Sequence, residues 1–199
     1  MTTNPFSRRH FVSAMASGIA ATWMSGAWRH AAALDGGPVT GAAPAPPGAP
    51  PAGALTPAQL RDVEAIAALV IPTDDAPGAR EARVIDFIDR GLASFASDQL
   101  PLFEQGLADL NARVAKAHPG ATAFADLGAG DQTVLLQQLD AEHSDFFEAV
   151  RVATVTGFLS NPEYGGNAGK VGWKLIGFED RYAWQPPFGY YDSDAARGE

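Results

Sequence analysis

The chain has 199 residues, 14 of them basic and 23 acidic, with a net charge of −9 and no cysteine. That length holds one domain with extensions. The acidic balance argues against nucleic acid or an anionic membrane surface as partner. The missing cysteine excludes disulfides, cysteine-ligated iron–sulfur clusters and covalently attached c-type haem.

Residues 1–33 hold Arg8, Arg9 and Arg29 and no acid. Taking those three from the 14 basic residues leaves 11 against 23 acids, a net −12 for the rest. Ser7-Arg8-Arg9-His10-Phe11-Val12 resembles the twin-arginine export motif, with Arg8, Arg9 and Phe11 as its defining residues. An apolar run over residues 11–28 follows, and Ala31-Ala32-Ala33 offers a small-residue cleavage site. The run is long enough to be weighed as a membrane anchor. Its Ser13, Ser17, Gly18, Thr22, Ser25 and Gly26 favour a cleaved signal instead, with the mature chain starting near Leu34. The expected destination is the periplasm. The twin-arginine route carries folded cargo, which suits export alongside a cofactor-loaded partner.

Residues 34–54 contain six prolines and five glycines. They have little to bury and read as an extended, semi-rigid linker. A ligand for a polyproline-binding module is the functional alternative.

The helical body is expected over residues 55–181. Thr56-Pro57 is a helix start, with Thr as N-cap and Pro in the first turn. Val63, Ile66, Ala67 and Val70 recur at helical spacing, and Pro72 stops the helix. Residues 73–78 form a turn; Asp74 and Asp75 are better explained as turn formers than as metal ligands. A second helix is predicted over 81–95, with Val84, Ile85, Ile88, Leu92 and Phe95 on one stripe. A third spans about 102–117, with Leu102, Phe103, Leu107, Leu110 and Val114 as its apolar face, and His118-Pro119-Gly120 stops it. Phe124 and Leu127 anchor the next connection. A fourth helix covers about 132–139, with Asp131 as candidate cap and Val134, Leu135, Leu136 and Leu139 as its apolar set. The fifth covers about 145–159, with Phe146, Phe147, Val150, Val155 and Phe158. No strand alternation and no fixed-period repeat stands out. The fold class is therefore mainly α: a small bundle of about five helices, a long glycine- and aromatic-rich C-terminal loop and an extended tail.

That loop, residues 158–178, reads F-L-S-N-P-E-Y-G-G-N-A-G-K-V-G-W-K-L-I-G-F. Glycines shape it and Tyr164, Trp173, Leu175, Ile176 and Phe178 give it something to bury, so it is expected to be ordered. Asn161-Pro162 opens a turn, and Tyr164-Gly165-Gly166-Asn167 makes a second reversal. The match through Thr154, Gly157, Phe158, Ser160, Pro162, Tyr164, Gly165, Gly166 and Asn167, then Gly172 to Phe178, resembles the C-terminal signature of the gluconate 2-dehydrogenase subunit 3 family. The Pro-Gly that often follows the final Phe there is replaced here by Glu179-Asp180. The resemblance implies a small, non-catalytic subunit of a periplasmic, membrane-associated, FAD-dependent dehydrogenase of the GMC type, acting on gluconate, glucose or a related sugar or polyol. It implies a flavoprotein large subunit as partner, carrying FAD and an iron–sulfur cluster, and a multihaem cytochrome c subunit carrying haem. This chain would hold no cofactor; it would bind, stabilise and escort the flavoprotein through export.

Chemistry within the chain itself is sparse. After residue 33 only His118 and His143 remain, one at a helix stop and one before a helix start. Surface placement explains both better than metal binding or catalysis. Gly165, Gly166 and Gly169 lack the G-x-G-x-x-G spacing between strand and helix that a dinucleotide requires. What remains is an interaction surface. Eight aromatics fall between Tyr164 and Tyr191, and Trp and Tyr are favoured binding anchors. The candidate loop-shaping and partner residues are Tyr164, Gly165, Gly166, Asn167, Trp173, Lys174, Phe178, Tyr182 and Trp184. Trp173 is expected to pack inward with the rim of the loop facing the partner. The tail over 182–199, aromatic then acidic, either folds back or packs on the partner. A free-standing exported carbohydrate-binding protein or hydrolase is the alternative, although no acid pair or nucleophile–base set is identifiable by spacing.

Overall fold

The computed structural model describes residues 53–181. The signal over 1–33, nearly all of the linker and the tail over 182–199 lie outside the described residues.

Among the described residues six α-helices make the body: α1 Pro57–Val70, α2 Val84–Leu92, α3 Leu100–Ala117, α4 Ala129–Ala141, α5 Asp145–Leu159 and α6 Val171–Leu175. Short 3₁₀ turns at Ser97–Gln99, Phe124–Asp126, Pro162–Tyr164 and Ala168–Lys170 join them. The sixth helix is one turn long and lies inside the glycine-rich loop, where an irregular path was expected.

Thr56 caps α1 through a complete capping box: its Oγ1 accepts from the Gln59 N–H, and the Gln59 side chain accepts from the Thr56 N–H at 2.9 Å. Two otherwise orphaned donors are satisfied reciprocally. The 73–78 turn is an Asx turn, with Asp74 Oδ1 accepting from the Ala76 N–H at 2.9 Å.

α2 is shorter than the 81–95 expected. Glu81 spends its carboxylate on the Gly78 N–H and the Thr73 hydroxyl, at 2.8 and 2.7 Å. Arg83 then turns left-handed, with φ 52°. The helix starts only after that kink. At its far end the Ser94 hydroxyl donates to the Arg90 carbonyl at 2.6 Å, and Phe95 reaches back to Phe87 with ring centroids 5.9 Å apart. α4 is longer than expected. Its N-cap is Gly128, with no side-chain cap, and Asp131 sits inside the first turn rather than capping it. Val134, expected in the core, is 52% exposed.

α5 is the central element. Ser144 caps it, and ten of its residues from Phe146 to Phe158 are buried. A helix apolar on most of its circumference must be surrounded. α5 packs against α1, α2, α3, α4 and α6. Phe87, Phe103, Phe124, Phe147 and Phe158 are among the largest fully buried side chains. Each such side chain contributes about 1.5–3 kcal/mol by leaving water.

One buried polar cluster ties the layers together. Asp62, 1% exposed, accepts from the Asn111 side chain at 2.8 Å and the Ala125 N–H at 2.9 Å. Asn111 in turn accepts from the Phe124 N–H, and Gln132 donates to the Phe124 carbonyl. The cluster joins α1, α3, the Phe124 turn and α4.

Candidate interaction site

The last turn of any helix leaves carbonyls without partners. At the end of α5 the glycine-rich loop supplies those partners from side chains. The Ser160 hydroxyl donates to the Gly157 carbonyl at 3.0 Å. The Trp173 indole donates to the Leu159 carbonyl at 2.8 Å. The Asn167 carboxamide donates to the Ser160 carbonyl at 2.9 Å and accepts from the Gly172 N–H at 2.8 Å. Asn167 is fully buried, with φ 49°. Left-handed backbone is unusual outside glycine, and Asn is among the residues that tolerate it best. From the same bend the Ala168 N–H donates to the Ala82 carbonyl at 2.9 Å, pinning the loop to the segment before α2.

Close approach explains two of the glycines. A Cβ on Gly166 would stand 2.2 Å from the Gly157 carbonyl oxygen, and one on Gly172 would stand 1.9 Å from that of Phe158. Gly165 closes the Pro162–Tyr164 turn at φ 108°. Tyr164 packs part-buried against the core. Gly165, Gly166, Asn167 and Tyr164 thus shape the loop from inside. Trp173 is half-buried, and Phe178 rests against it with centroids 5.0 Å apart. Lys170 lies over the Trp173 ring at 5.5 Å and pairs with Asp180 at 2.7 Å. Tyr182 and Trp184, like Arg8, Arg9 and Phe11, lie outside the described residues.

Alongside exposed Glu163, Lys170 and Lys174, the loop turns three large apolar residues outward. Leu175 is 49% exposed, Ile176 56% and Phe178 46%. They form a ridge with Lys174 beside it. Sequence reasoning had singled out Phe178 and Lys174 but not Leu175 or Ile176. It credited both with burial, because apolar residues between aromatics read as core.

Elsewhere, a cleft of about 220 Å³ opens between α3 and the start of α5, over Leu102, Gly106 and Phe146. Near it Arg113 grips Glu142 with two bonds of 2.9 and 2.8 Å. That hydrogen bonding holds the Glu142 carboxyl below its usual range and raises the Arg113 guanidinium. His143 is exposed, and His118 Nδ1 stands 3.9 Å from Asp131. Among the described residues no group of three or more His, Asp or Glu side chains is placed to hold a metal ion. No helix among them is long and apolar enough to cross a membrane.

The family model for gluconate 2-dehydrogenase subunit 3 matches residues 57–180. The chain belongs to the gluconate 2-dehydrogenase subunit 3 family. The match begins at the first residue of α1 and ends two residues beyond the ridge. Membership in a subunit 3 family implies a place in a multi-subunit dehydrogenase complex. No curated protein and no solved structure gives a significant match to this subunit 3 chain.

Proposed function

We propose that this chain is a non-catalytic small subunit of a periplasmic, membrane-associated FAD-dependent dehydrogenase oxidising gluconate, glucose or a related sugar or polyol. It binds and stabilises the flavoprotein subunit and escorts it through twin-arginine export, using Arg8 and Arg9. The observation that carries this reading is how the family's loop is used. Its hydrogen-bonding groups are spent inside the chain, on the end of α5, and an apolar ridge is left outward. Such a design serves recognition rather than chemistry.

The loop's glycines do not fit a flavin phosphate. Gly166 and Gly172 lie against the Gly157 and Phe158 carbonyl oxygens, which are acceptors and repel an anion. A phosphate cradle needs N–H donors at the start of a helix. In this reading FAD and an iron–sulfur cluster are carried by the large subunit, and haem by a cytochrome c subunit.

Co-purification tests the proposal. The chain, tagged at its C-terminus and carrying its own N-terminus, is recovered from the periplasm. A second, larger chain with flavin absorption bands and dye-linked oxidation of a sugar is the expected result. A colourless single chain that no flavoprotein joins overturns it. Replacing Arg8 and Arg9 with Lys should leave the flavoprotein in the cytoplasm; normal export of the flavoprotein overturns the escort role.

A further inference from the structure

We propose that Leu175, Ile176 and Phe178 form the anchor by which the flavoprotein subunit holds this chain, entering an apolar pocket on that subunit with Lys174 facing a carboxylate at its rim. This rests on the small-subunit reading and names the surface it uses.

Three observations select the ridge and its occupant. First, the ridge is half-exposed while the backbone beneath it is fixed. The Gly172 N–H is held by buried Asn167, the Phe178 N–H donates to the Trp173 carbonyl at 2.8 Å, and Trp173 is tied to α5. Apolar side chains on a pre-ordered backbone lose little entropy on binding, which is what an anchor requires. Second, the charges sort themselves. Lys170 is paired with Asp180, and Arg181 with Glu179. Lys174 is exposed and makes no ion pair among the described residues. A complementary carboxylate on the partner fits it, whereas a second copy would present the same lysine. Third, three side chains fall far short of the roughly 20–30 residues a side of a stable interface. The ridge alone cannot hold a homodimer together. It suits a hot spot within a wider contact with a larger chain.

The test uses the full chain co-expressed with the flavoprotein that the wild-type chain captures. Ile176→Asp, alone and with Leu175→Asp, should weaken capture by about tenfold or more. Helical content and the tryptophan emission of the free subunit should stay unchanged. Val134→Asp is the control, because it places the same charge on an exposed apolar residue of α4. It should capture flavoprotein as the wild type does. Lys174→Glu should weaken capture at low salt and converge on the wild type in concentrated salt. If the wild-type chain captures no flavoprotein, the small-subunit reading fails. If the wild type captures it and Ile176→Asp with Leu175→Asp does so equally well, the ridge is not the anchor and the reading stands. Equal loss in Val134→Asp also overturns the ridge.

Discussion

Asn167 accepts the Gly172 N–H at 2.8 Å from a fully buried, left-handed position. With its second bond to the Ser160 carbonyl, one carboxamide joins the end of α5 to the start of α6. Asn167→Ala leaves a buried donor and a part-buried acceptor unpaired. The expected loss is about 2–4 kcal/mol by denaturant unfolding. Amide exchange over residues 168–178 should accelerate more than in α1. Asn167→Asp keeps the acceptor but turns a carboxylate toward the Ser160 carbonyl, so it should not restore stability.

Gly172→Ala should cost about 1–3 kcal/mol or more, because its Cβ meets the rigid Phe158 backbone rather than a flexible side-chain end. Gly130→Ala is the comparison. Nothing lies within 4 Å of a Cβ there, and in α4 alanine is the better helix former by up to about 1 kcal/mol. Thermal unfolding should show Gly172→Ala lower than wild type and Gly130→Ala unchanged or slightly higher.

Asp62→Ala should destabilise by about 2–4 kcal/mol, because it takes the acceptor from two part-buried donors, the Asn111 side chain and the Ala125 N–H. Asp62→Asn keeps one acceptor and should lose less. Equal, near-neutral behaviour of both variants in urea unfolding would show that the cluster is not holding α1 to α3.

Acid should weaken the fold. The carboxyls of Glu81, Asp126 and Glu142 are all held low, first by the hydrogen bonds from Thr73, Arg61 and Arg113 respectively. Groups held low when folded bind protons more readily when unfolded. Their stabilisation is present above the ordinary values of 3.8 for Asp and 4.5 for Glu, and it fades as pH falls through the lower folded values. Each of the three is exposed, so each effect is small. The melting temperature should be flat around neutral pH and decline below that range. Glu142→Gln should show a shallower decline than wild type.

The helices that could be read directly from the sequence are those whose ends are decided locally. Thr56 and Pro57 start α1 whatever lies around them, and α5 runs over the expected residues because its apolar face is dense and Ser144 precedes it. α2 was overextended because Glu81 answers to Thr73 and Gly78, not to helix periodicity. Val134 looked like core because periodicity cannot tell how wide a face the neighbours cover. Nothing in the residues around Asp62 marks it for burial. Its burial depends on Asn111 and Ala125, 49 and 63 residues away.

The family itself was legible in the spacing of the glycines and aromatics, and so was the order of the loop, since a stretch with that many aromatics is not a linker. The division of labour inside the loop was not. Asn167 faces inward because the α5 carbonyls stand where its carboxamide can reach them. Gly166 and Gly172 are needed because the chain passes directly against that helix end. Leu175 and Ile176 face outward because those contacts fix the rotation of α6. Sequence determines which groups can bond and which prefer to leave water; only the meeting of α5 with its own downstream loop decides which apolar residues remain outside.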